Sequence, residues 1–173
     1  MKHRLIWILV LCAASQAIAS LYFYSGKRPD ISFDTILTLS RKALQASVPD
    51  HREYNPVLAS LYGMPGKDSG RWNIIFVNKA QRSYNVNTVF PEIETKVDLY
   101  SSNDLYNIFV DADMTTEYAN ALATLSESQR REFYCCGAYR DRKAALFRFE
   151  FASGTNWKSR LIVDNHSVTN RTM

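Results

Sequence analysis

The sequence predicts an α+β domain: a single curved antiparallel sheet of about six strands with helices packed on one face, preceded by an N-terminal hydrophobic export helix. Three observations lead there. Short runs that alternate apolar and polar residues cluster in the middle and near the end of the chain. Amphipathic stretches with capping residues stand before and between them. An uncharged apolar stretch follows a basic start.

The export helix comes first. Met1-Lys2-His3-Arg4 is a short positive region, and Leu5 to Ala14 is a continuous apolar run. Ser15-Gln16 breaks the run, and Ala17 and Ala19 put small residues at the two positions a signal peptidase inspects, with Ser20 as the first mature residue. Residues 1–19 therefore read as a signal peptide. The alternative is an uncleaved anchor over residues 5–24, a stretch without charge that is long enough to cross a bilayer, with Lys27 and Arg28 beyond it. Either way the rest of the chain is expected on the non-cytoplasmic side, periplasmic or secreted in one case and held at the inner membrane in the other. Residues 20–30 read as a linker, 31–164 as the globular domain and 165–173 as a loose polar tail.

Within the domain, Ser32 caps a helix that begins at Phe33, with Asp34 in its first turn. Phe33, Ile36, Leu37, Ser40 and Leu44 fall on one stripe, and Pro49 stops the helix. Residues 49–56 read as loop and Gly63 to Gly70 as a turn-rich connection. Four strands are expected next, over 72–77, 84–90, 93–99 and 105–110. The third, in which Ile93, Thr95, Val97 and Leu99 alternate with acidic and basic residues, is the clearest. Two helices follow over 115–125 and 127–134. Ser126 and Gln129 form a capping-box pattern, and Gly137 is placed to end the second helix. Phe147, Phe149 and Phe151, then Arg160 to Val163, supply the last two strands.

Composition narrows the function. The chain has 173 residues, 46% hydrophobic and 22% charged, which is ordinary globular usage. The formal charge is +4, part of it in Lys2 and Arg4. The domain's own excess is too small for a nucleic-acid footprint. Charge is nevertheless segregated, with acids dominating from Glu92 to Glu117 and bases from Arg130 to Arg171. Such segregation either neutralises itself across the fold or presents a charged docking face. Arg140, Arg142 and Lys143 form a short basic segment suited to a phosphate or an acidic partner face.

Few residues point to chemistry. Cys135-Cys136 are the only cysteines beyond the leader, so in an oxidising compartment they are a vicinal bridge, an intermolecular bond or free thiols. A vicinal bridge is strained and redox-labile, while two buried thiols would be inert packing. Asp111, Asp113 and Glu117 could form a weak divalent-cation site, set against helix capping by Asp113 or Thr115. Asp111-x-Asp113-x-Thr115 after Ile108-Phe109-Val110 resembles the first motif of haloacid-dehalogenase-type phosphotransferases. Those enzymes also need a parallel sheet and later motifs that this chain lacks. His51 and His166 are isolated, which argues against zinc. Glycine-rich phosphate loops, nucleophile elbows and dinucleotide fingerprints are absent. Asn165 and Asn170 begin glycosylation acceptor triplets, relevant only in a eukaryote.

The expected function is therefore an exported cell-envelope protein, a non-enzymatic binding or inhibitory module for another envelope or secreted protein. No cofactor, nucleic acid or small-molecule ligand is implied, and the membrane enters only through the N-terminal segment. The alternatives are a membrane-anchored structural or assembly subunit and an enzyme with a scattered acidic site.

Overall fold

A computed structural model describes residues 31–63, 70–101, 113–140, 146–153, 159–164 and 167–172. The leader, the 20–30 linker and the strand expected over 105–110 lie outside these residues. The described chain is an α+β fold built on one open antiparallel sheet of eight strands, two more than expected.

The order of elements is α1 (Phe33–Ser47), a 3-10 turn (His51–Glu53), β1 (Asn55–Gly63), β2 (Gly70–Val77), β3 (Ser83–Phe90) and β4 (Glu94–Tyr100). Next come α2 (Met114–Thr124), α3 (Glu127–Glu132), β5 (Phe133–Arg140), β6 (Phe147–Ser153), β7 (Ser159–Asp164) and β8 (Ser167–Thr172). Across the sheet the strands run β4-β3-β2-β1-β5-β6-β7-β8. Each half of the chain thus supplies helix followed by a four-stranded meander, and the halves join at their first strands. That central ladder is short: Leu58, Ala59 and Ser60 pair with Tyr139, Ala138 and Gly137.

The helices form as their caps dictate. Ser32 Oγ accepts the Thr35 amide at 3.2 Å and starts α1. Ser126 Oγ accepts the Gln129 amide at 3.2 Å while Gln129 Oε1 accepts the Ser126 amide at 2.8 Å, so the capping box at α3 is complete. α1 lies over β2, β3 and β4, and α2 over β1, β6 and β7. The core sits between these helices and the sheet. Phe33, Ile36, Leu37 and Leu44 come from α1, and Trp72, Phe76, Phe149 and Phe151 from the strands. Both long helices contribute to this one core.

Three expectations are corrected. Helix 127–134 stops at Glu132, and Phe133 opens β5, so Cys135, Cys136 and Gly137 lie in a central strand rather than at a helix end. β1 occupies a stretch read partly as loop. It is central in the sheet although Pro56 is its second residue, because pairing with β5 starts only at Leu58, past the proline, and Val57 is absorbed as a bulge. The tail from Asn165 is not loose throughout, since Ser167–Thr172 pairs with β7 as an edge strand.

Some buried polar groups lack partners. Trp72 and Thr88 are cross-strand neighbours with 1% and 0% exposure, and among the described residues neither Trp72 Nε1 nor Thr88 Oγ1 has a hydrogen-bond partner. An orphaned buried hydroxyl costs about 1–3 kcal/mol in desolvation. Thr88→Val keeps the shape and removes that group, so it is expected to raise stability by about 1 kcal/mol in urea unfolding. A loss of stability would show that the hydroxyl is partnered in solution.

Candidate functional site

A concavity among the described residues opens at the start of α1. It is a cleft of about 540 Å³ between the start of α1, α2, α3 and the β5–β6 hairpin. Rings of Phe33, Tyr118, Phe133 and Phe151 line it, with Ile31 and Leu122 beside them and Ser32, Asp34 and Arg130 among its polar lining. Phe33, Tyr118 and Phe151 are linked by edge-on and stacked contacts. Phe33 meets Tyr118 at 4.8 Å and Trp72 at 5.2 Å, and Tyr118 stacks on Phe151 at 6.3 Å. Such a wall is fixed before anything binds. Partial desolvation pushes the Asp34 carboxyl above its ordinary range. The rings themselves are nearly buried, between 1% and 8% exposed, so what the cleft presents to solvent is polar as much as apolar.

Cys135 also lines this cleft, and Cys136 follows it as the extra residue of a bulge between Cys135 and Gly137. Both are buried free thiols. Cys135 Sγ donates to the Gly137 carbonyl at 3.6 Å and Cys136 Sγ to the Glu150 carbonyl at 3.4 Å. Burial pushes the Cys135 thiol well up, and burial aided by the Glu150 charge pushes Cys136 up to about 12. A thiol in that state is a poor nucleophile. Alkylation of the native protein at pH 8 is expected to leave both cysteines unmodified, and denaturant to expose both. Rapid native labelling of either residue would restore a redox role.

Asp113 caps α2. It accepts the Thr115 amide at 3.2 Å and the Thr116 hydroxyl at 2.9 Å, and its carboxylate meets Arg41 at 3.4 Å. Burial alone would raise its pKa, but these donors and the Arg41 charge outweigh it and hold the carboxyl below the usual range. Glu117 follows in the first turn, where the helix dipole favours it. Asp111 lies outside the described residues, and among those residues no group of three or more His, Cys, Asp or Glu is placed to hold a metal ion. His51 sits in the 3-10 turn with Nδ1 at 3.3 Å from the Val48 carbonyl oxygen.

Of the basic segment, only Arg140 is described. It is 8% exposed at the end of β5, with its guanidinium over the Phe147 ring at 5.6 Å. It is an internal cation–π contact rather than an outward grip. Arg142 and Lys143, like the cleavage-site residues Ala17, Ala19 and Ser20, fall outside the described residues.

The sheet face without helices carries a polar constellation that the sequence reading missed. Arg148 donates to Asp164 Oδ2 at 2.9 and 3.0 Å and to Tyr139 Oη at 3.1 Å. Tyr139 Oη donates to Glu150 Oε1 at 3.2 Å, and Arg160 donates to Glu150 Oε2 at 3.3 Å. The network crosses β5, β6 and β7 through residues facing away from the core. Desolvation raises the Tyr139 phenol, and the hydrogen bonds to Tyr139 and Asp164 raise the Arg148 guanidinium. The alternation of Arg148 and Glu150 with Phe147, Phe149 and Phe151 was the available signal. It located the strand but not the cross-strand partners. No family model matches this chain, and neither a curated protein nor a solved structure shows significant similarity to it.

Proposed function

We propose that the chain is an exported cell-envelope protein that works as a non-enzymatic binding module, and that the aromatic cleft receives an apolar segment of its partner protein. The cleft carries this reading: three of its rings, Phe33, Tyr118 and Phe151, are held in place by contact through Tyr118, with Asp34 and Arg130 to orient what enters. The buried rings form a packed floor, and a concavity held by such a floor binds with less ordering cost than a flexible surface. The functional groups near it favour binding over turnover. Cys135 is a buried thiol with a raised pKa, and the Ser32 hydroxyl is engaged in capping α1.

Site-directed photo-crosslinking tests the proposal. The full chain with a photoreactive aromatic residue replacing the exposed Arg130 is expected to crosslink one envelope protein. The same residue replacing Lys79, in the β2–β3 turn, should not. Ile31→Glu is expected to reduce the Arg130-site product at least about tenfold by placing a charge on an apolar wall. Equal yields from both positions, or a product indifferent to Ile31→Glu, would remove the cleft as the binding site.

The assembly-subunit reading has one observation of its own. Beside and on β4, at one end of the described sheet, Ile93 is 52% and Leu99 75% exposed. Apolar residues at a sheet edge favour association with another strand.

A further inference from the structure

We infer that β4 pairs edge to edge with the β4 of a second copy of this chain, antiparallel and centred on Val97. This is the edge that the assembly reading uses, and the pairing rests on that reading rather than on the cleft. β4 ends the described sheet, and among the described residues no strand pairs with its outer side. An edge of that kind presents a row of amides and carbonyls to another strand. Its side chains are open too, with Lys96 76% and Asp98 42% exposed and Leu99 more exposed than any other large apolar residue described. The register with β3 assigns the faces. Val97 lies opposite the core residue Val86, and Thr95 opposite the buried Thr88, so Thr95, Val97 and Leu99 share the α1 side. Lys96 and Asp98 lie opposite Asn87 and Asn85 on the other side.

The charges select the register. Two identical strands that close on each other are related by a two-fold axis, so every contact occurs twice. Opposite residues must share a face, which allows registers centred on a residue and forbids those centred between two. Centring on Lys96 sets the two ammonium groups against each other and Glu94 against Asp98 twice. Centring on Asp98 sets carboxylate against carboxylate. Centring on Val97 pairs all seven residues of the strand. Lys96 then meets the partner's Asp98, Asp98 the partner's Lys96, and Val97 the partner's Val97. Lys96 Nζ already lies 2.8 Å from its own Asp98 Oδ1, so the four charges alternate around a square. Opposite charges directly across a ladder stabilise it and like charges destabilise it. Only the Val97 register has the first without the second.

The same pattern identifies the partner as a second copy. A lysine in the middle of an edge strand ordinarily blocks strand addition, because a foreign strand sets an arbitrary side chain against the ammonium. Here the acid two residues further on becomes its match when the added strand is the same sequence running the other way. On the α1 side, Leu99 comes opposite the partner's Thr95 and diagonal to the partner's Val97, which covers an apolar side chain that the single chain leaves in water. The other end of the sheet is the contrast. β8 carries Arg171 as its one charged residue, so no register of β8 against itself gains an opposite-charge pair.

The test exchanges the charges in the full chain, purified in mild detergent and read by sedimentation equilibrium. The parent is expected to dimerise. Lys96→Asp and Asp98→Lys should each weaken the dimer at least about tenfold, since each sets like charges against each other twice. The double variant Lys96→Asp, Asp98→Lys restores the match and should return to within about threefold of the parent. A second arm alters no charge. In a Cys12→Ser background, Val97→Cys is expected to give a disulfide-linked dimer on mild oxidation, because the two side chains meet across the axis, and Val168→Cys on β8 is not. A parent that stays monomeric at millimolar concentration, a double variant no tighter than the single ones, or equal crosslinking from both edges overturns the pairing. A photoreactive residue replacing Leu99 separates the two failures. If the parent is monomeric and this position still captures a different protein, self-pairing fails and the assembly reading stands; if it captures nothing, both fail. The cleft is untouched by every one of these variants, so the Arg130 crosslink is decided separately.

Discussion

Tyr118→Ala is expected to destabilise the domain by about 3–5 kcal/mol, the range for removing a large ring from a packed core. Tyr118 sits where the layers meet. It comes from α2 and touches Phe33 of α1 at 4.8 Å, Phe149 at 5.6 Å and Phe151 at 6.3 Å, with only 7% of its surface exposed. Three rings therefore lose a neighbour at once, on both helix and sheet. The cavity cannot close by a helix shift alone, because Asp113 and Arg41 also tie the start of α2 to α1. Urea unfolding measures the effect, and Tyr118→Phe, which keeps the ring, should lose less than half as much. A cost below about 1 kcal/mol for the alanine variant would mean that the two helices pack independently of this residue.

That ring cluster also shows what could be read from sequence. Phe33, Ile36, Leu37, Ser40 and Leu44 were legible as a stripe because a helix repeats its buried positions every three or four residues, and all five are buried. Phe147, Phe149 and Phe151 were legible because β6 has one wet side. β5 hid for the opposite reason. Seven of its eight residues are buried, so Phe133 to Arg140 carries no alternation, and the strong capping box at Ser126 invited the helix to run on. β8 hid because its described side chains are exposed on both faces, which leaves no apolar face to mark it. Strand order was illegible altogether, since the pairing of Ser60 with Gly137 joins residues far apart in sequence. The candidate sites depend on that pairing. The cleft gathers Ile31, Tyr118 and Cys135 from three separate segments, and the polar network gathers Tyr139, Glu150 and Arg160 from three strands.

Glu150→Ala is the second large effect, about 2–4 kcal/mol, and its size rests on how little water reaches the pair. The Glu150 and Arg160 side chains are 19% and 13% exposed. Removing one partner of a desolvated ion pair leaves the other uncompensated, at about 3–5 kcal/mol when burial is complete. The remaining access to water reduces that. The neighbouring pair provides the internal scale. Arg148 and Asp164 are 36% and 40% exposed, so Asp164→Ala should cost no more than about 1 kcal/mol, as solvated pairs do. The Glu150→Ala, Arg160→Ala double variant should recover part of the Glu150→Ala loss, because no charge is then stranded. Thermal and urea unfolding of the four proteins decides between two pictures. If both single carboxylate variants cost the same small amount, the helix-free face is an ordinary solvated surface and its network orders nothing. If Glu150→Ala costs several times more, the network is a rigid floor. Tyr139 is then held in place by Arg148 and Glu150 together.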